Sequence, residues 1–217
     1  MFAGMETRLI IVRHGETAWN RGNVYRGTND VPLNDNGRQQ ARLTAAALKG
    51  VPIDFAYTSP LSRAAETAQI VLEPHDIEAS HHDGLLDFDY GEWTGKQEDE
   101  VREIWPAEYE AWTTQPHEAR PPGGTTLGEI SERCCAAMVE TATRHEGSTV
   151  ALFSHRVVNK LLVLGALGLA LDRFPYIVQG NCSYNEFLVR DGEFTIQTIN
   201  STAHMIAGGV DVLETDF

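Results

Sequence analysis

The sequence predicts an α/β protein with a mostly parallel sheet, helices against both faces and an antiparallel C-terminal hairpin; three observations predict it. Two short apolar runs, Leu9-Ile10-Ile11-Val12 and Thr149-Val150-Ala151-Leu152-Phe153, show no polar alternation, as strands covered on both faces require. Stretches with helix start and stop signals follow the candidate strands. Asp191-Gly192, between Ser183–Arg190 and Phe194–Ile199, is a two-residue hairpin signal.

Taken in order, the first run stops on Arg13-His14-Gly15. Ligands of such sheets bind beyond the carboxyl ends of the strands. Arginine offers a planar fork for phosphate or carboxylate, and a neighbouring histidine can act as base, nucleophile or metal ligand. The plainer alternative is a strand end whose polar residues face water. Asn20 to Leu33, rich in glycine, proline and asparagine, reads as a loop over this point and carries Arg21 and Arg26. Asn34 or Asp35 caps a helix running to about Lys49, with Gly50 as its stop. Asp54 to Thr58 is a second strand. It leads into Ser59-Pro60-Leu61-Ser62-Arg63, with Pro60 in the first turn of a helix that continues to about Leu72. Ile77 to Ala79 reads as a short third strand.

Leu85 to Gly95 gathers Asp87, Asp89 and Glu92 among Phe88, Tyr90 and Trp93. Lys96 to Thr114 reads as short helices broken at Pro106, with Trp105 and Trp112 packing at helical spacing. Pro121-Pro122-Gly123-Gly124 is a break, after which Thr125 or Thr126 caps a long helix to about His145. The second apolar run ends on Ser154-His155-Arg156, followed by a helix over Val157 to Leu169. The tail passes Asn200 and His204 into a Gly-rich end expected to be mobile. His81-His82 reads as a solvated loop pair.

At 217 residues the chain is expected to form one domain, 1–217, with a helical cap or insert at about 88–125. With 42% hydrophobic and 22% charged residues, extensive disorder is excluded. No apolar run approaches the roughly 20 residues of a membrane span. Met1 to Thr7 lacks the pattern of a secretory leader. Three cysteines, Cys134, Cys135 and Cys182, favour reduced thiols and a cytoplasmic setting, with Cys134 and Cys135 in the core and no zinc-like spacing. The net charge of −14 makes nucleic acid and anionic membranes poor partners. An anionic ligand must therefore meet a local basic pocket.

Such a pocket is available if the strands are neighbours. Arg13-His14, Arg63 and His155-Arg156 each lie at or just beyond a strand end, and on one sheet edge they would surround a dianion, most simply a phosphoryl group.

Three elements, Arg13-His14-Gly15-Glu16-Thr17 with Trp19-Asn20, Ser59-Pro60-Leu61-Ser62-Arg63 with Glu66-Thr67-Ala68, and Ser154-His155, occur in order over nearly the whole chain. In these the sequence resembles the histidine phosphatase superfamily, in its phosphoglycerate mutase-like branch. The resemblance implies a three-layer α/β/α sandwich and an enzyme that needs no metal or other cofactor. It implies His14 as the nucleophile that becomes a phosphohistidine, with Arg13, Arg63 and His155 holding the phosphoryl group. It further places Asn20, Arg26 and Gly27 in the substrate pocket, with His204 matching a tail histidine of some phosphatases. The proton donor falls at Asp87, four residues before Gly91 in Gly91-Glu92-Trp93-Thr94-Gly95, where the family pattern has a glutamate; Asp89 and Glu92 are its rivals. Arg156 stands where many members have glycine, and is read either as a cation at the pocket rim or as an outward-facing helix start.

The expected activity is hydrolysis of a small phosphorylated metabolite, as in the metal-independent phosphoserine and broad-specificity phosphatases. A histidine of the phosphoserine enzymes is replaced by Tyr90. The alternatives are a cofactor-dependent phosphoglycerate mutase and an inactive binding protein. Mutases of this branch carry an arginine pair after the acid, whereas Lys96, Arg102 and Arg120 here are isolated. The sequence is compatible with a homodimer and does not select an oligomeric state.

Overall fold

The computed structural model describes residues 5–211. In chain order the elements are β1 (Thr7–Arg13), α1 (Ala18–Arg21), α2 (Asp35–Leu48), β2 (Phe55–Thr58), α3 (Ser62–Leu72), β3 (Ser80–His81), α4 (Glu98–Ile104), α5 (Pro106–Thr114), α6 (Leu127–Arg144), β4 (Thr149–Ser154), α7 (Arg156–Ala166), β5 (Tyr184–Arg190), β6 (Glu193–Ser201) and α8 (Ala203–Ala207). The strands form one sheet in the order β3-β2-β4-β1-β5-β6. β1 to β4 are parallel, while β5 pairs antiparallel with β1 and β6 with β5.

The two apolar runs occupy the centre of this sheet, and their alternate residues feed two separate cores. Leu9, Ile11, Val150 and Leu152 pack with residues of α6 and α7 and with Phe88 and Trp93. Ile10, Val12, Ala151 and Phe153 pack with residues of α2 and α3 and with Met205 of α8. All eight strand side chains are fully buried. Burying such an aliphatic or aromatic side chain is worth about 1.5–3 kcal/mol, which explains the absence of polar alternation in both strands. The result is the expected three-layer sandwich. No helix among the described residues is long and apolar enough to cross a membrane.

Several boundaries differ from the sequence reading. The third strand is Ser80–His81 rather than Ile77–Ala79, because it pairs with the C-terminal half of β2, Ser80 opposite Tyr57 and His81 opposite Thr58. Ile77 and Ala79 instead pack against the core beneath α2 and α3. Pro60 precedes α3 rather than lying in its first turn: Leu61 is the N-cap, and Asp30 Oδ1 accepts from Ser62 N at 2.7 Å. α7 ends at Ala166 rather than Leu169, because Gly168 turns left-handed and Leu169 N bonds back to Leu164 O. The Gly-rich tail contains a short helix, α8, docked through buried Met205. The leader reading over Met1–Thr7 and the end of the tail fall partly on residues 1–4 and 212–217, outside the described residues.

His81 is exposed, and His82 Nδ1 accepts from Gly84 N at 3.0 Å. Trp112 is buried, with Trp105 packed beside that core, and Cys134 is buried while Cys135 is half-buried.

Candidate active site

Because β2, β4 and β1 are adjacent and parallel, their carboxyl ends share one edge. Arg13 lies opposite Ser154 and Thr58 opposite Phe153. His14 N donates to Ser154 O, and Ser59 N to Phe153 O, each at 2.9 Å. This register brings Arg13-His14, Arg63 and His155 around one point.

His14 is 1% exposed. Its Nδ1 lies 2.6 Å from Gly15 O, and since a carbonyl only accepts, Nδ1 carries the proton and Nε2 the lone pair. Burial first, then the positive charges of Arg63, His155, Arg13 and Arg26, holds its pKa well below the usual imidazole range. The ring is therefore neutral at pH 7. Its backbone is fixed on both sides: Cys182 N and Asn181 Nδ2 donate to His14 O, and Gly15 N donates to Thr67 Oγ1 of α3.

Arg63 is fully buried and uses its whole fork. Nε donates to His155 Nδ1 at 3.2 Å, Nη1 to Asn29 O at 2.8 Å, and Nη2 to Gly27 O at 2.8 Å and Asp87 Oδ2 at 2.9 Å. Since the guanidinium only donates, His155 Nδ1 accepts, and Nε2 donates to Ser59 Oγ at 2.8 Å. The His14 and His155 ring centroids are 5.2 Å apart. Burial, then Arg63, Arg26, Arg13 and Arg133, also lowers the His155 pKa well below its usual value. Arg13 is anchored by Nη1 donating to Gln179 O at 2.6 Å.

Of the three candidate carboxylates, Asp87 is the one that meets this cluster. It is 7% exposed, accepts from Arg63 and lies 3.4 Å from His155 Nδ1, while its Oδ1 accepts from Phe88 N. Asp89 Oδ1 accepts from Gly91 N in a tight local turn, and Glu92 is exposed.

Arg26 is 6% exposed and close enough to act on both histidines and on Arg63. Gly27 has φ +54°, and a Cβ there would meet Phe88 O at 3.2 Å, so glycine suits this close approach of the two loops. Asn20 is buried, and its Oδ1 accepts from Thr17 N and Oγ1, capping α1. Arg156 opens α7, is half-buried and lies close enough to Tyr25 to act electrostatically on its buried phenol. His204 Nε2 bonds Thr44 Oγ1 of α2 at 3.1 Å, and its ring lies 5.6 Å from that of Tyr184 at a tilt of 36°. Its position follows from α8, which docks against α2 through Met205.

Residues that the sequence reading did not single out hold the site together. Glu16, fully buried, accepts from Arg21 Nε at 2.6 Å, Asn34 Nδ2 at 2.7 Å and Asn36 Nδ2 at 3.0 Å, tying the loop over the site to the strand end. Ser59 Oγ accepts from Nε2 of His155, whose tautomer Arg63 sets at Nδ1. Gln179 and Asn185 exchange amide hydrogen bonds at 2.9 and 2.8 Å beneath Arg13. Glu16 and Ser59 lie inside the motifs, which is the one signal that could have marked them; Gln179 meets Arg13 through its backbone carbonyl, which any residue could supply.

Residues 9–202 match the histidine phosphatase superfamily, branch 1. Phosphoserine phosphatase 1 of Hydrogenobacter thermophilus is 32% identical over 198 residues, covering 91% of this chain and 94% of that protein. A 2,3-bisphosphoglycerate-dependent phosphoglycerate mutase of Parvibaculum lavamentivorans is 40% identical over 134 residues, covering 59% of this chain and 64% of that protein. Among solved structures, phosphoserine phosphatase from Entamoeba histolytica, in complex with 3-phosphoglyceric acid, aligns with a TM-score of 0.83 at 29% identity, covering 92% of this chain and 99% of that one.

Proposed function

The chain belongs to the histidine phosphatase superfamily, branch 1, and from that premise we propose that it hydrolyses small phosphomonoesters through a phosphohistidine on His14, without a metal. The observation that carries this reading is the buried, neutral His14, whose Nδ1 proton is held by Gly15 O and whose Nε2 lone pair is left for attack.

In the first step Nε2 attacks phosphorus, the P–O ester bond breaks, and the leaving alkoxide takes a proton from the Asp87 carboxyl. In the second, Asp87 takes a proton from water as that water attacks phosphorus, the P–N bond breaks and inorganic phosphate leaves. Arg13, Arg26, Arg63 and His155 surround the transferring group, so developing charge on its oxygens is offset by donors already fixed in place.

The mutase reading has a relative behind it, but the basic residues of the segment after the acid are already engaged. Arg102 pairs with Asp99, Arg120 with Glu129, and Lys96 sits 5.7 Å over the Trp105 ring. They stand apart from one another rather than as an adjacent pair, which favours release to water. Phosphoserine, the substrate named for the Hydrogenobacter relative, is a candidate substrate. The three unpaired thiols fit a reducing cytoplasm.

Purified protein should release phosphate from p-nitrophenyl phosphate and from a panel of phosphorylated metabolites, in EDTA as well as without it. His14→Ala should remove that release while leaving the thermal melt intact. Activity retained in His14→Ala refutes the nucleophile, loss in EDTA refutes the metal-free chemistry, and faster interconversion of 2- and 3-phosphoglycerate than phosphate release favours the mutase.

A further inference from the structure

Aspartate reaches about 1.5 Å less far than glutamate, so the placement of the Asp87 carboxyl is set by the backbone beneath it. That backbone is held by two side chains from other elements. Ser154 Oγ donates to Leu85 O at 2.7 Å. Arg133, projecting from α6, donates Nη2 to Leu86 O and, at 3.4 Å, to Asp87 O.

The choice of residue for this grip is unusual. Arg133 is half-buried, and among the described residues it makes no ion pair. Its Nε is buried without a hydrogen-bond partner. A half-buried guanidinium that donates to two successive main-chain carbonyls fixes where that backbone stands, which an apolar side chain of similar length would not do. The charged and titratable groups around it are Cys134, Asp87 and Asp83, with His155 more weakly placed.

We propose that Arg133 is a positioning residue for Asp87, setting the depth at which the shortened acid stands beside Arg63 and His155. The inference rests on the proposed role of Asp87 as acid and base. Arg133 touches neither substrate nor reacting atoms; it acts through the main chain of Leu86 and Asp87.

The test compares kcat/KM, which reports the first phosphoryl transfer, on an alkyl phosphate whose leaving group needs a proton and on p-nitrophenyl phosphate, whose leaving group does not. Arg133→Met should lower the alkyl value about 10- to 100-fold and the aryl value less than about 3-fold, the span of a mispositioned general acid. Arg133→Lys should recover part of the alkyl rate. In an Asp87→Asn background, Arg133→Met should add no further loss on the alkyl ester, since the two act as a unit. Equal losses on both esters, or the same loss with and without the Asp87 carboxyl, overturn the proposal. Should Arg133→Met not fold, Arg133→Gln is read by the same ratio. An Asp87→Asn variant that loses equally on both esters overturns the acid assignment and this inference with it; a selective Asp87→Asn beside an unselective Arg133→Met overturns the positioning role alone.

Discussion

Gly37→Ala is a one-carbon perturbation at the second position from which the catalytic loop is buttressed. Gly37 lies in the first turn of α2, and a Cβ there would stand 2.1 Å from Glu16 O and 2.7 Å from Glu16 N. Both are backbone atoms two residues from His14, so no flexible side chain can swing aside. The helix and the loop must part by about 1 Å to reach a normal contact, and overpacking of this kind costs about 1–3 kcal/mol. In a chain of this size each kcal/mol lowers Tm by about 2–4 °C, so the melt should fall by roughly 2–12 °C. A displacement of about 1 Å at the nucleophile should cost on the order of 100-fold in kcat/KM. Gly50→Ala is the control, because a Cβ there meets nothing within 4 Å and should change neither quantity. Thermal melts and initial rates on p-nitrophenyl phosphate read both effects. A Gly37→Ala protein with wild-type Tm and kcat/KM would refute the claim that α2 fixes His14 through this backbone contact.

Other consequences follow from the buried charges. His14 and His155 have folded-state pKa values below that of an unfolded histidine, about 6.5. Their contribution to stability is whole above that pH and is lost as pH falls below it, because the unfolded chain then binds protons the folded one excludes. Tm should therefore drop on acidification from about pH 6.5, and His14→Gln should flatten the drop; an unchanged slope argues that the ring is not buried neutral. Glu16→Ala leaves Arg21, Asn34 and Asn36 without their shared acceptor. Arg21 is exposed and returns to water, so the loss is that of the two asparagine hydrogen bonds to a carboxylate, about 1.5–3 kcal/mol. A denaturant titration showing a loss below 1 kcal/mol, on the order of a surface pair, would mean that Glu16 is not the tie between loop and strand.

Much of the site was legible because its chemistry sits where secondary structure changes. Apolar runs that stop on Arg13-His14 and Ser154-His155 announce strand ends, and the Pro and Ser around Arg63 announce a helix start. Their convergence was not legible, since it depends on β4 lying between β1 and β2, a long-range order that local pattern does not encode. The resemblance to the family pattern pointed to Asp87, and contact with the Arg63 fork is what sets it apart from Asp89 and Glu92. The slip of the third strand from Ile77–Ala79 to Ser80–His81 has the same origin: apolar residues marked the core contact, while register was set by hydrogen bonds to Tyr57 and Thr58. The helix that carries His204, α8, stands where the tail pattern gave no helical signal. Gly37 and Gln179 act through backbone atoms, and nothing in a side-chain pattern distinguishes them.

The central claim is covalent transfer to His14, and the most direct measurement is to quench the enzyme during turnover of a phosphomonoester and map any phosphoryl adduct by mass spectrometry. The proposed mechanism predicts one phosphoryl group on His14, labile in acid, absent from His14→Ala and accumulating in Asp87→Asn, where water is no longer activated. Steady turnover with no adduct on His14, or an adduct on His155 in its place, would contradict it.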